Sequence, residues 1–124
     1  GAGHPNSLAF QANLADTLSR QGFFNEAEEL QRQLVEQESR ALGVSHPNVL
    51  TTMANLGLTL LQQGRLDEAK YVQHQVLELR TKVLGCSHPD TLRAMSSLAA
   101  TLRELGDATG AEGLEQQVLQ LGAV

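Results

Sequence analysis

Apolar residues recur along this chain at helical spacing. Leu50, Met53, Leu56, Gly57 and Leu60 fall on one face of an α-helix. Gly64 marks its end, where a left-handed C′ residue is favoured. After a short turn a second helical face follows: Leu66, Ala69, Val72, Val76, Leu77, Val83 and Leu84. It is matched upstream by Phe24, Ala27, Leu30, Leu34, Val35, Ala41 and Leu42, and these second helices are expected to end at Gly43 and Gly85. Pro47 and Pro89 suit a first helical turn, where the missing N–H costs nothing. Ser45 or His46, and Ser87 or His88, are the candidate N-caps. Acidic residues gather at the starts of the second helices (Glu26, Glu28, Glu29; Asp67, Glu68), where they complement the helix dipole.

The two-helix pattern repeats. His-Pro pairs at His4-Pro5, His46-Pro47 and His88-Pro89 set a 42-residue period over the 124 residues. Residues 4–45 and 46–87 share 19 identities, too many for coincidence. The third copy, 88–124, departs: Gly110 and Gly113 fall inside its second helix, at roughly 1 kcal/mol each relative to Ala. The chain also stops short of the Leu-Gly ending of the earlier copies. The expectation is one all-α array over 1–124 with a degenerate or cut last unit. A start on a repeat boundary points to a piece excised from a longer protein, with Gly1-Ala2 a cloning remnant. One antiparallel hairpin cannot bury its apolar faces alone, so the hairpins are expected to stack as a solenoid.

Composition narrows the function. The net charge of −5 and an aromatic content of 3% lack the basic footprint and stacking platforms of a nucleic-acid binder. No apolar run approaches the ~20 residues of a membrane span. Nothing reads as a secretory leader, and the one cysteine, Cys86, excludes an internal disulfide, so a cytoplasmic location is expected. Equivalent histidines of stacked hairpins lie at least a helix-packing distance of ~8–10 Å apart, too far to share one ion, so no metal and no cofactor is expected. Gly106, Gly110 and Gly113 lack the strand and Gly-Lys-Ser/Thr of a phosphate loop. No acid, base or nucleophile is set apart by its surroundings, so the chain is not expected to be an enzyme. Thr17/Thr59/Thr101 and Gln33/Gln75/Gln117 recur in every copy and are expected to serve packing or bonds between repeats.

The segment Met53-Ala-Asn-Leu-Gly-Leu-Thr-Leu-Leu-Gln-Gln-Gly-Arg-Leu-Asp-Glu-Ala69 resembles a tetratricopeptide repeat. The Leu-Gly-X-Ser-His-Pro-Asn/Asp ending is similar to the 42-residue variant of kinesin light chains and nephrocystin-type proteins. The resemblance implies a right-handed α-solenoid of three antiparallel helix-turn-helix repeats, with the first helix of each lining a concave groove. It implies groove positions at Ala9, Ala12, Asp16, Ser19 and Arg20; at Thr51, Ala54, Leu58, Leu61 and Gln62; and at Arg93, Ser96, Ala100, Arg103 and Glu104. Asn13, Asn55 and Ser97 stand beside them, as groove residues or as inter-repeat hydrogen-bonding groups. Chaperone-binding relatives clamp a C-terminal carboxylate with Lys and Asn where this chain has Ala12 and Asp16, so that function is expected to be absent.

The implied role is a scaffold that binds a protein or peptide segment in the groove. Residues 46–87 carry a net +1 between two flanks of −3, and Arg93 and Arg103 add positive charge in the third copy, so a ligand with an apolar centre and an acidic end is expected. Two alternatives differ in kind: a solenoid that self-associates end to end, and the sensor arm of a larger nucleotide-binding signalling protein.

Overall fold

The computed structural model describes residues 5–122, which form six helices: α1 (Pro5–Arg20), α2 (Phe24–Leu42), α3 (Pro47–Gln62), α4 (Leu66–Leu84), α5 (Pro89–Glu104) and α6 (Ala108–Gly122). Among the described residues there is no strand. Each helix packs on its neighbours in the chain, and α3 also touches α1 and α5. Three hairpins thus stack side by side as an α-solenoid.

The boundaries follow from local chemistry. His46 and His88 supply the caps: each Nδ1 accepts the N–H two residues on, from Asn48 at 3.1 Å and Asp90 at 3.0 Å. The equivalent His4 lies outside the described residues, as do Gly1 and Ala2. The first helix of each hairpin ends in a Schellman motif. At Gly64, φ is +77°; its N–H donates to Leu61 O and that of Arg65 to Leu60 O, so the last carbonyls are satisfied. The second helices end differently. Gly85 has φ +91° and ψ 160°, an extended region open only to glycine rather than the left-handed helical one, and it turns the chain into the next hairpin. The second helix of the third hairpin, α6, runs unbroken through Gly110 and Gly113. Asp107 accepts the Gly110 N–H at 2.9 Å and caps α6, whereas α2 and α4 have no side-chain cap.

The core is a row of aliphatic contacts with an alanine at each crossing. Ala27, Ala69 and Ala111 are fully buried and let paired helices approach closely. Around them lie Leu34, Val49, Leu50, Leu56, Leu60, Val76, Met95, Leu98 and Leu102. Burying a side chain such as Leu60 stabilises the fold by about 1.5–3 kcal/mol. The inward face of the second helices differs from the expected apolar stripe. It reads Ala27-Gln31-Leu34-Glu38 in α2 and Ala69-Gln73-Val76-Arg80 in α4, while Ala41, Leu42 and Val83 are exposed. Every second inward position is therefore polar.

The recurring Thr and Gln positions separate. Thr101 Oγ1 donates to Gln73 Oε1 at 2.5 Å, a buried bond between repeats. Thr17 and Thr59 instead donate to carbonyls one turn back, of Asn13 and Asn55. The Gln33/Gln75/Gln117 expectation is corrected: Gln33 and Gln117 are exposed, and Gln75 Nε2 donates to Tyr71 Oη within α4.

Candidate functional site

The first helices α1, α3 and α5 form the walls of a trough, and the C-terminal halves of α2 and α4 form its floor. The trough has two hollows that share Thr51 and Asn55 of α3. One, of about 450 Å³, lies between α1 and α3, lined by Leu8, Ala9, Ala12 and Asn13, by Asn48 and Thr52, and by Glu38, Ala41 and Leu42 of α2. The other, of about 380 Å³, lies between α3 and α5, lined by Ala54 and Leu58, by Asp90, Arg93, Ala94 and Ser97, and by Gln73, Val76 and Arg80 of α4. Leu58 is 43% exposed, an apolar surface in an otherwise mixed wall.

A family model described as tetratricopeptide repeat matches residues 6–73 and again 57–122. The chain belongs to the tetratricopeptide repeat family. Solved structures place it further. Two, of the nearly identical TPR-like repeats assigned to a kinesin light chain of Podosopora anserina, one of them a point variant, are 30% identical over 99% of this chain, with TM-scores of 0.88 and 0.86. BtubC (BKLC) from P. vanneervenii shares the fold with a TM-score of 0.89 at 20% identity over 98% of this chain. The array spans 58% of the Podosopora chains and 49% of BtubC. None of the curated proteins compared with it matches.

Within this tetratricopeptide array, the sequence-derived candidates fall into three groups. Thr51, Asn55, Leu58, Arg93 and Ser97 meet in the second hollow, and Asn13 joins Thr51 and Asn55 in the first. Asp16, Arg20 and Gln62 are exposed and line neither; Arg20 Nη2 pairs with Asp16 at 2.5 Å on the surface of α1. Ser96 and Arg103 sit on the α6 side. Ser96 lines a separate hollow with Glu112, Glu115, Gln116, Val118 and Leu119, and the Arg103 guanidinium is engaged by Glu115. That pairing holds the Glu115 carboxyl below the usual carboxylate range.

The trough floor adds two charges that the candidates did not include. Arg80 is only 8% exposed, and its hydrogen bond runs from Nη1 to the backbone oxygen of Asp90 at 3.1 Å. The Asp90 carboxylate is taken by Arg93, at 3.0 Å. Burial lowers the pKa of Arg80, Asp90 opposes the shift, and Arg93 adds to it. Glu38 is 6% exposed; its Oε1 accepts from Thr52 Oγ1 at 2.6 Å. Burial raises the Glu38 carboxyl above its ordinary value, against the Thr52 bond and the nearby His46. Among the described residues neither Glu38 nor Arg80 has an ion-pair partner. Both occupy the same place in their repeats, the last polar position of the inward face. A charged residue in phase with buried alanines and leucines was the signal that marked them. Among the described residues no group of three metal-ligating side chains gathers, and no helix is long and apolar enough to cross a membrane.

Proposed function

We propose that this array is a protein-interaction scaffold that takes an extended peptide or protein segment in the trough lined by α1, α3 and α5. Tetratricopeptide repeats are in general protein–protein interaction modules, which supports the class of function. The trough reading rests on one observation: Thr51, Asn55, Leu58, Arg93 and Ser97, on two different helices, share one hollow with an apolar wall and cationic groups. Such a surface suits a ligand with an apolar centre and an acidic end. The array works by binding rather than by turnover, and a cytoplasmic setting belongs to the same proposal. Peptides selected from a random library displayed on phage should lose binding to Leu58→Glu and to Arg93→Glu, and keep it with Tyr71→Glu on the outer face of α4. Selected peptides that bind all three variants alike overturn the trough assignment.

A second reading, end-to-end self-association, draws support from the two outer helices. Phe10 on α1 is 68% exposed and Leu119 on α6 is 66% exposed. Phe10 stands where Thr52 and Ala94 are buried against the preceding hairpin. Light scattering that returns a single-chain mass at every concentration overturns this reading.

A further inference from the structure

The trough is electrically split. Glu38 and Arg80 occupy equivalent positions in successive repeats, carry opposite charges, and lie at the floor of adjacent hollows. A buried charge without an ion partner is costly, and an opposite charge brought against it relieves part of that cost. Each hollow also has a net sign. Among the described residues that line the first, Glu38 is the one with a charge. The second contains Arg80, Arg93 and Asp90, and because Asp90 and Arg93 neutralise each other, Arg80 sets the excess. The shared wall of Thr51 and Asn55 stands between the two floors and offers hydroxyl and amide groups to a backbone crossing it.

We propose that the trough recognises an extended segment bearing two opposite charges, a basic side chain over Glu38 and a carboxylate over Arg80. This rests on the trough being the binding surface. Equivalent points on successive hairpins are separated by one to two helix-packing steps of ~8–10 Å. An extended chain rising ~3.3 Å per residue covers that gap in about three to six residues. The spacing and the order of the two charges thus become part of the specificity. A purely acidic segment satisfies Arg80 but places like charge against Glu38, so it is a poorer ligand than its net charge against Arg80 and Arg93 indicates. Direction follows as well: a chain laid the other way round sets each of its charges against a like one.

The test uses synthetic acetylated and amidated nonapeptides with an apolar centre, carrying one lysine and one glutamate at separations of three to six residues and in both orders. Control peptides carry glutamine in place of either charge. Fluorescence anisotropy with the whole 124-residue chain reads affinity. One order should bind about tenfold tighter than either control, the size expected for a charge-assisted hydrogen bond in a hollow. Glu38→Gln should abolish the preference for lysine and leave that for glutamate, and Arg80→Gln should do the reverse. Helical circular dichroism checks that the variants fold, with Arg80→Met as the alternative if Arg80→Gln does not. Peptides that bind and are blocked by Leu58→Glu, yet show no preference for charge or order, overturn this inference and leave the trough reading standing. So does a single floor substitution that removes both preferences. Phage-selected peptides indifferent to Leu58→Glu overturn both.

Discussion

The two seams between repeats share a backbone arrangement and differ in what ties them. At the α2–α3 seam, Glu28 gathers three donors: Arg32 Nε at 2.8 Å, Gln63 Nε2 at 3.1 Å and the Arg65 guanidinium. Arg65 also holds Glu68 at 2.6 Å, and Gln63 reaches Asn25 at 2.8 Å. Burial alone would raise the Glu28 carboxyl, but the hydrogen bonds from Arg32, Gln63 and Arg65 outweigh it and hold it below the ordinary range. At the α4–α5 seam the matching residues are Lys70 and Asp107, the same pair with signs exchanged, yet among the described residues they form no ion pair. Asp107 has turned its carboxylate to the Gly110 N–H. An arginine cannot cap a helix N-terminus and an aspartate can, so Arg65 bridges the repeats while Asp107 caps its own helix. Exchanging two charges does not preserve an interaction when one of the new residues has a better local use.

The largest expected effect breaks the tied seam. Glu28→Ala should lower stability by about 1–2 kcal/mol in urea denaturation, because several charged donors lose one acceptor. Lys70→Ala should stay within about 0.5 kcal/mol. Equal losses would mean that the two seams do not differ as described. The sign of the pH dependence is fixed by the depressed carboxyl. The Glu28 contribution is fully present above its ordinary value of 4.5 and fades as pH falls through its lower folded value.

A smaller effect comes from the helix behind the looser seam. Gly113→Ala meets open space and should raise stability by about 0.5–1 kcal/mol, seen as a higher denaturation midpoint. Gly110→Ala should bring no comparable gain. A Cβ there collides with the Asp107 carboxylate and displaces the cap, which is worth about 1 kcal/mol. If both alanines stabilise alike, Asp107 is not committed to capping.

The smallest effect concerns the Glu38 floor of the trough. Glu38 has a raised folded pKa, so the folded protein binds the proton more tightly and its stability falls as pH rises from 4.5 through that value. Glu38→Gln keeps an acceptor for Thr52 and should raise the melting temperature slightly at pH 7, with the gain vanishing below 4.5. A gain independent of pH would point to packing rather than charge.

Helices, their ends and their stacking were legible in the sequence because periodicity, His-Pro caps and terminal glycines are local signals that repeat. The clustering of candidate residues on α3 and α5 was partly legible too: Thr51, Asn55, Leu58, Arg93 and Ser97 fall in one hollow because the first helices carry one register throughout. What escaped was set by partners distant in sequence. Arg103 reads as a free cation until α6 brings Glu115 against it. Gln75 recurs but donates to Tyr71 of its own helix, while Gln73, two residues earlier, makes the buried bond to Thr101. Glu38 and Arg80 were hidden by the reading of the inward face as purely apolar. Repetition marks a position as constrained without saying which neighbour constrains it.

No contact among the described helices joins α1 or α2 to α5 or α6. Contacts therefore stay close along the chain, a topology that folds fast. During synthesis from the N-terminus, every group of the Glu28 network exists once Glu68 has left the ribosome. The seam with the most ties is also the one made first. The third hairpin then condenses onto a surface already in place, growing the array as it is translated.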